Sequence, residues 1–238
     1  MDKINLGHHI SQQYNAELED IRSRVLSMGG LVEQQLADAI TSVMDENTEL
    51  ADQVIANDLK VNAMEVAIDE ECSRVVARRQ PAASDLRLIV AVIKTITDLE
   101  RIGDQAEKVA RMALRLTGAR DNSKQYADLV HLGNHVRQLL HDALDAFARM
   151  DPEAAVHVAR EDVSVDKEYD SLMRQLITYM MEDPRTITRS LDVIWASRAL
   201  ERIGDHARNI CEYVIYFVEG KDVRHISIEE MEKEVNAD

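Results

Sequence analysis

At 238 residues the chain is long enough for one large domain or two small ones with a buried core. It is 45% hydrophobic but only 4% aromatic, with 8 Gly and 3 Pro, which is the profile of a helical protein. A formal net charge of −16 excludes non-specific binding to nucleic acid and works against adhesion to an anionic membrane, leaving multivalent cations as the natural complement.

The opening Met1-Asp-Lys-Ile-Asn-Leu lacks the apolar stretch of a signal peptide, and His8-His9 are expected in solvent. Breaks then fall near Asp45–Thr48, Arg79–Ser84, Thr117–Ser123, Met150–Pro152 and Asp183–Arg185. They leave six segments of roughly 27–38 residues with apolar positions at helical spacing, a helix of ~35 residues being a rod of ~50 Å. Asn122 or Ser123 suits the start of the fourth helix, and Asp151-Pro152 and Asp183-Pro184 each place Pro in a first turn. Gly118 and Gly220 suit helix C-termini, and the acidic residues beyond form a short extra helix or a frayed tail. The longest apolar run, Leu88–Ile93, is far below the ~20 residues of a membrane span. Cys72 and Cys211 have no CxxC or His/Cys cluster beside them, so buried free thiols and a cytoplasmic location are expected.

The hexapeptide Leu-Glu-Arg-Ile-Gly-Asp occurs twice, at Leu99–Asp104 and Leu200–Asp205. The duplication extends further: Met28-Gly29 with Ile40 matches Leu132-Gly133 with Leu144, and Asp58 with Val61 matches Asp162 with Val165. The expected fold is therefore all-α: two tandem three-helix bundles related by a pseudo-twofold, over 8–118 and 123–220, with an acidic C-terminal tail at 221–238.

Each hexapeptide sets a Glu and an Asp four residues apart, one helical turn above the other, as Glu100/Asp104 and Glu201/Asp205. Both pairs continue an apolar stripe, so something positive must meet them. Gly103 and Gly204 cost about 1 kcal/mol each inside a helix, which points to close approach of a backbone or a ligand. Glu65 with Asp69, and Asp166 with Asp170, repeat the spacing on neighbouring helices. Together these eight acids are candidate oxygen ligands for Mg, Mn or Fe ions. Ion pairs with Arg101, Lys108, Arg202 and Arg208 would serve as a purely structural alternative, and a metal-assisted phosphohydrolase is a second. Di-iron chemistry lacks the repeated Glu-x-x-His it needs. His206 stands where the first repeat has Gln105, so the repeat does not require it; Trp195, Tyr213, Tyr216 and Phe217 read as core or interface packing. No phosphate-binding glycine loop, GxSxG or catalytic nucleophile is recognisable.

Gln80-Pro81-Ala82-Ala83-Ser84-Asp85-Leu86-Arg87, the two acidic hexapeptides with the following His206, and Asn209-Ile210-Cys211-Glu212-Tyr213 closely resemble the PhoU family of bacterial phosphate-signalling regulators. The resemblance runs essentially end to end. It implies two three-helix bundles, dimerisation, and no enzymatic activity. It also implies negative regulation of the phosphate-starvation regulon, through the sensor histidine kinase and the ATPase subunit of the phosphate ABC transporter. Membrane association would then be peripheral, through those partners. Some members bind multinuclear metal clusters through such acidic motifs, which carries over to Glu100, Asp104, Glu201 and Asp205. One departure is evident: aligning Asp58 with Asp162 pairs Asn62 with Asp166 and Glu65 with Tyr169, which puts a symmetric pair of clusters in doubt.

Overall fold

The computed structural model describes residues 3–118 and 123–236, with side chains from residue 13 to 118 and from 126 to 236. It contains α1 (Lys3–Asp45), α2 (Thr48–Arg79), α3 (Ala83–Leu116), α4 (Ser123–Arg149), α5 (Pro152–Glu182), α6 (Ile187–Glu219) and α7 (Ile228–Val235), with a 3-10 turn at Pro184–Thr186. No strand occurs among the described residues. The protein is thus all-α, with α1–α3 and α4–α6 forming the two tandem bundles. The His8 and His9 side chains and Asn122 lie outside the described residues.

Local chemistry ends the rods where the punctuation falls. Asn47 Oδ1 accepts from the Leu50 amide at 3.0 Å, and Asp151 Oδ1 from the Ala154 amide at 2.9 Å, each satisfying an orphan donor of the first turn. Pro152 sits inside the start of α5, and Gly220 closes α6 with φ 73°, a left-handed cap open to glycine at little cost. Beyond it α7 is set by a capping box between Ser227 and Glu230, and its Met231 is fully buried. Among the described residues no helix is long and apolar enough to cross a membrane.

The repeat is visible in how the halves cross. A Cβ on Gly29 of α1 would lie 2.7 Å from Leu144 of α4, and a Cβ on Gly133 of α4 would lie 2.9 Å from Ile40 of α1. These contacts are reciprocal, as a pseudo-twofold requires, because Gly29 and Gly133 are repeat partners and so are Ile40 and Leu144. Helices α3 and α6, which carry the acidic hexapeptides, pack antiparallel at the centre. The Arg87 guanidinium lies against Gly220, while Arg115 Nη1 meets Asp192 at 3.2 Å at the other end. Leu99, Ile102, Val109, Leu200, Ile203 and Ile210 of these helices are all buried, so the hexapeptides are anchored by the core. Cys72 and Cys211 are buried free thiols. Trp195 is not core: it stands in solvent on α6.

Candidate functional site

What comes close to the hexapeptide glycines is a carboxylate from the neighbouring helix. A Cβ on Gly103 would sit 3.2 Å from Asp58 Oδ1 and 3.4 Å from Gln35 Oε1; on Gly204 it would sit 2.9 Å from Asp162 Oδ1. Glycine lets α2 and α5 bring a buried aspartate against the backbone of α3 and α6. Each acidic turn is therefore a triad in sequence terms: Asp58 with Glu100 and Asp104, and Asp162 with Glu201 and Asp205.

The two copies differ in their electrostatics. In the first, burial raises the Asp58 pKa, with Asp104 and Glu107 adding to the rise and hydrogen bonds from Gln35 and Asn62 opposing it. Glu100 is raised by burial, then by Asp104, Glu65 and Asp58, against Arg101. Among the described residues Asp58, Glu65, Glu100 and Asp104 form no ion pair, while Glu107 is held by Arg111 at 2.6 Å. The buried Gln35 Oε1, beside Asp58, has no hydrogen-bond partner there.

The second copy carries its own cations. Arg208 lies 3.9 Å from Asp162 and 3.4 Å from Glu212, and Arg198 meets Glu201 at 2.7 Å while sitting over the Tyr169 ring. The repeat places Glu107, Thr97 and Glu65 where this half has Arg208, Arg198 and Tyr169. Even so, burial first, then Asp166 and Asp205, push the Asp162 pKa up to about 7 despite Arg208. Burial chiefly raises Asp166 and Glu201 as well, each with a contribution from Asp205.

The candidate ligands are thus brought together unevenly. Glu65 acts on Glu100 across the α2/α3 groove, whereas Asp69 is exposed and acts on Cys72, not on Glu100. Asp166 joins Asp162, Glu201 and Asp205; Asp170 bears on Asp166. Of the structural alternative's cations, Arg208 makes ion pairs, and Arg198, not Arg202, holds Glu201. Among the described residues no three His, Cys, Asp or Glu side chains converge closely enough to hold a metal ion as they stand. The carboxylates of the first turn, with no ion pair to them among the described residues, and the orphaned Gln35 oxygen are donors of the kind a hard cation takes; the arginines paired to the second turn fit one poorly.

Asp58 and Asp162 could have been found, because the repeat aligns them beside the core residues Val61 and Val165. A further polar centre could not. Asp98, buried between α3 and α6, accepts from Tyr213 Oη at 2.7 Å and Asn209 Nδ2 at 3.2 Å and pairs with His206 Nδ1 at 2.7 Å. Its repeat partner is Ala199, so nothing in the duplication signals it.

Fold and site together define a duplicated helical-bundle protein with paired acidic turns. The PhoU domain matches residues 25–113 and 129–214. The phosphate-specific transport system accessory protein PhoU homolog of Pseudomonas aeruginosa is 56% identical over 235 residues, covering 99% of this chain and 97% of that protein. The PhoU accessory protein of Escherichia coli is 53% identical over 233 residues, covering 98% and 96%. The crystal structure of PhoU from P. aeruginosa superposes with a TM-score of 0.85 at 55% identity, covering 87% of this chain and 100% of that one. The phosphate transport system regulatory protein PhoU of Streptococcus pneumoniae gives 0.82 at 28% identity, covering 88% and 99%. The chain belongs to the PhoU family.

Proposed function

We propose that this protein is a non-enzymatic regulator of phosphate transport. In this reading it is a cytoplasmic, dimeric adaptor that joins the phosphate ABC transporter, through its ATPase subunit, to a sensor histidine kinase. It restrains uptake and starvation signalling when phosphate is plentiful. The observation that carries the regulatory role is the end-to-end relationship to proteins named as accessory and regulatory components of phosphate transport. A rigid bundle of this kind acts by binding one conformational state of its partners better than another, and the size of that preference sets the coupling.

The acidic turns supply a cation-dependent part. Glu100, Asp104, Glu65 and Asp58 of the first turn would hold a hard divalent or trivalent ion such as Mg, Mn or Fe, with Gln35 nearby as a neutral oxygen. Such an ion would supply positive charge that offsets the burial, and after it the mutual repulsion, that raise the Glu100 and Asp58 pKa values. Glu201, Asp205, Asp166 and Asp170 would bind more weakly, because Arg198 and Arg208 already stand among them. Asp69 contributes least.

Two measurements test this. Cells lacking the protein should express alkaline phosphatase in phosphate-rich medium and be silenced by the intact chain; silence without it refutes the regulatory role. Metal content after Mn²⁺ loading should fall in Glu100→Gln/Asp104→Asn more than in Glu201→Gln/Asp205→Asn. Equal content in both and in the parent chain refutes the cation part.

A further inference from the structure

One side of α4 turns a polar stripe toward α5. Asp128, His131 and His135 follow one another at helical spacing on α4, and Glu161, Glu168 and Gln175 recur every seventh residue on α5. The two stripes meet in antiparallel register. His135 Nε2 stands 3.3 Å from Glu161 Oε1, His135 Nδ1 stands 3.0 Å from Glu168 Oε1, and His131 Nε2 lies 3.8 Å from that same oxygen. Toward the N-terminus of α4, Asp128, His131, Glu168 and Gln175 line one small cleft. Asp162 faces Gly204 of α6, so the second acidic turn lies on another side of α5.

The fold does not require this cluster. The repeat gives the first bundle Arg24, Ser27, Leu31, Asn57 and Met64 at the positions of Asp128, His131, His135, Glu161 and Glu168. Leu31 and Met64 pack against the core there, so apolar side chains fill the places that His135 and Glu168 take in the second half. Ionisable groups at such positions cost stability unless their charges are met.

What meets them here is incomplete. His135 has a carboxylate at each ring nitrogen, whereas a neutral imidazole carries a single N–H, so one contact would set a lone pair against an anionic oxygen. A second ring proton or a metal ion removes that conflict. The proton serves His135 alone. It leaves Asp128 Oδ2, Glu168 Oε2 and Gln175 Oε1, three buried acceptor oxygens of the one cleft, without a hydrogen-bond partner among the described residues. A water molecule has two protons for three such oxygens and brings no charge. Among the described residues no Lys or Arg pairs with Asp128, Glu161 or Glu168. The spacing suits a metal ion: tetrahedral zinc ligands stand about 3.4 Å apart, and the two histidine contacts to Glu168, at 3.0 and 3.8 Å, lie on either side of that value. The donors do not converge fully as they stand, and His131, with its side chain 76% exposed, has the freedom to swing inward. Glu161 at the far nitrogen of His135 completes the carboxylate–histidine arrangement that orients a metal-binding ring.

We propose that His131 Nε2, His135 Nδ1 and Glu168, with Asp128 as fourth ligand, bind a divalent ion of the zinc type that clamps α4 to α5, and that Glu161 positions His135 for it. Two imidazoles with two carboxylates select Zn²⁺ over Mg²⁺ or Ca²⁺, which take oxygen ligands. The inference goes beyond the regulatory reading and does not depend on cation binding at the acidic turns.

The probe is Zn²⁺ alone, titrated into the metal-stripped full chain against a chromophoric chelator. His131→Ala changes an exposed side chain and should weaken one Zn²⁺ site at least about tenfold with helicity retained. His135→Leu/Glu168→Met installs the residues of the first bundle and should abolish the site while the zinc-free chain still folds. Glu161→Gln should keep the ion at about tenfold lower affinity. Co²⁺ in place of Zn²⁺ should give the strong visible bands of a four-coordinate ion in the parent and in Glu100→Gln/Asp104→Asn, and lose them in both histidine variants. Equal zinc number and affinity in the parent and both histidine variants overturns the proposal, since His135 is then an imidazolium between two carboxylates. Zinc lost in Glu100→Gln/Asp104→Asn but kept in His131→Ala overturns it as well, the ion then belonging to the first acidic turn. Mn²⁺ loading of that turn is a separate readout, so failure there and failure here are told apart.

Discussion

Asp162 should make the protein less stable as pH rises, and Asp162→Asn should abolish that loss. The carboxyl is buried beneath Gly204, with its pKa pushed up to about 7 by burial and by Asp166 and Asp205. An unfolded aspartate titrates near about 3.9, so between these values the folded chain keeps a proton that the unfolded chain has released. Its folded pKa is the higher one. Stability from this group is therefore complete below about pH 4 and drains away as pH rises through about 7. One pKa unit is worth ~1.4 kcal/mol, so between about pH 5 and pH 8 the drain from this one group comes to roughly 2.5 kcal/mol. Asparagine keeps the shape and does not ionise. The variant should therefore gain on the parent by about that amount across the interval, with the slope concentrated below neutrality. Urea unfolding followed by helicity, in the presence of a chelator, at several pH values measures the difference. A stability difference between the two chains that does not change with pH would show that Asp162 is already ionised in the folded state, and the picture of an under-compensated second turn would fail.

Gly204→Ala should lower stability by about 1–3 kcal/mol, because its Cβ would press on Asp162 Oδ1 at 2.9 Å; Gly103→Ala should cost less, its nearest oxygen standing at 3.2 Å. Paired melting curves reporting the reverse order would contradict this. Asp98→Ala leaves Tyr213, Asn209 and His206 without their shared acceptor and should cost about 3 kcal/mol in chemical unfolding, with Asp98→Asn milder because one oxygen remains. Burial pushes the Cys72 thiol up to about 12 and raises Cys211 as well, so a disulfide reagent should label neither in the native protein and both in urea. Fast native labelling of either would place it at the surface.

The helices were legible in the sequence because their cause is local. Apolar residues every third or fourth position, Asp151 as a cap, Pro152 in a first turn and Gly220 as a left-handed stop each act within one helical turn, so their order along the chain is enough to place them. The duplication was equally legible, and with it the pairing of Gly29 with Gly133 and of Gly103 with Gly204. What the glycines accommodate was legible only in kind. Close approach follows from their position inside a helix, but the approaching atoms belong to Asp58 and Asp162, more than forty residues away in the chain.

The sequence by itself determined an all-α duplicated chain, its helix ends, and two identical acidic hexapeptides set on core-facing helices. The alignment of Asn62 with Asp166 and of Glu65 with Tyr169 already put their equivalence in doubt, and the tertiary structure decided how their surroundings differ. Arg198 and Arg208 stand among the acids of the second, while glutamate and threonine occupy their places in the first. It likewise decided that Trp195 faces water and that Asp98 gathers His206, Asn209 and Tyr213 across the central helix pair. The reason is one of range. Helix propensity and periodicity are settled between residues three or four apart, whereas charge compensation and burial depend on which side chains a distant helix brings within a few ångströms.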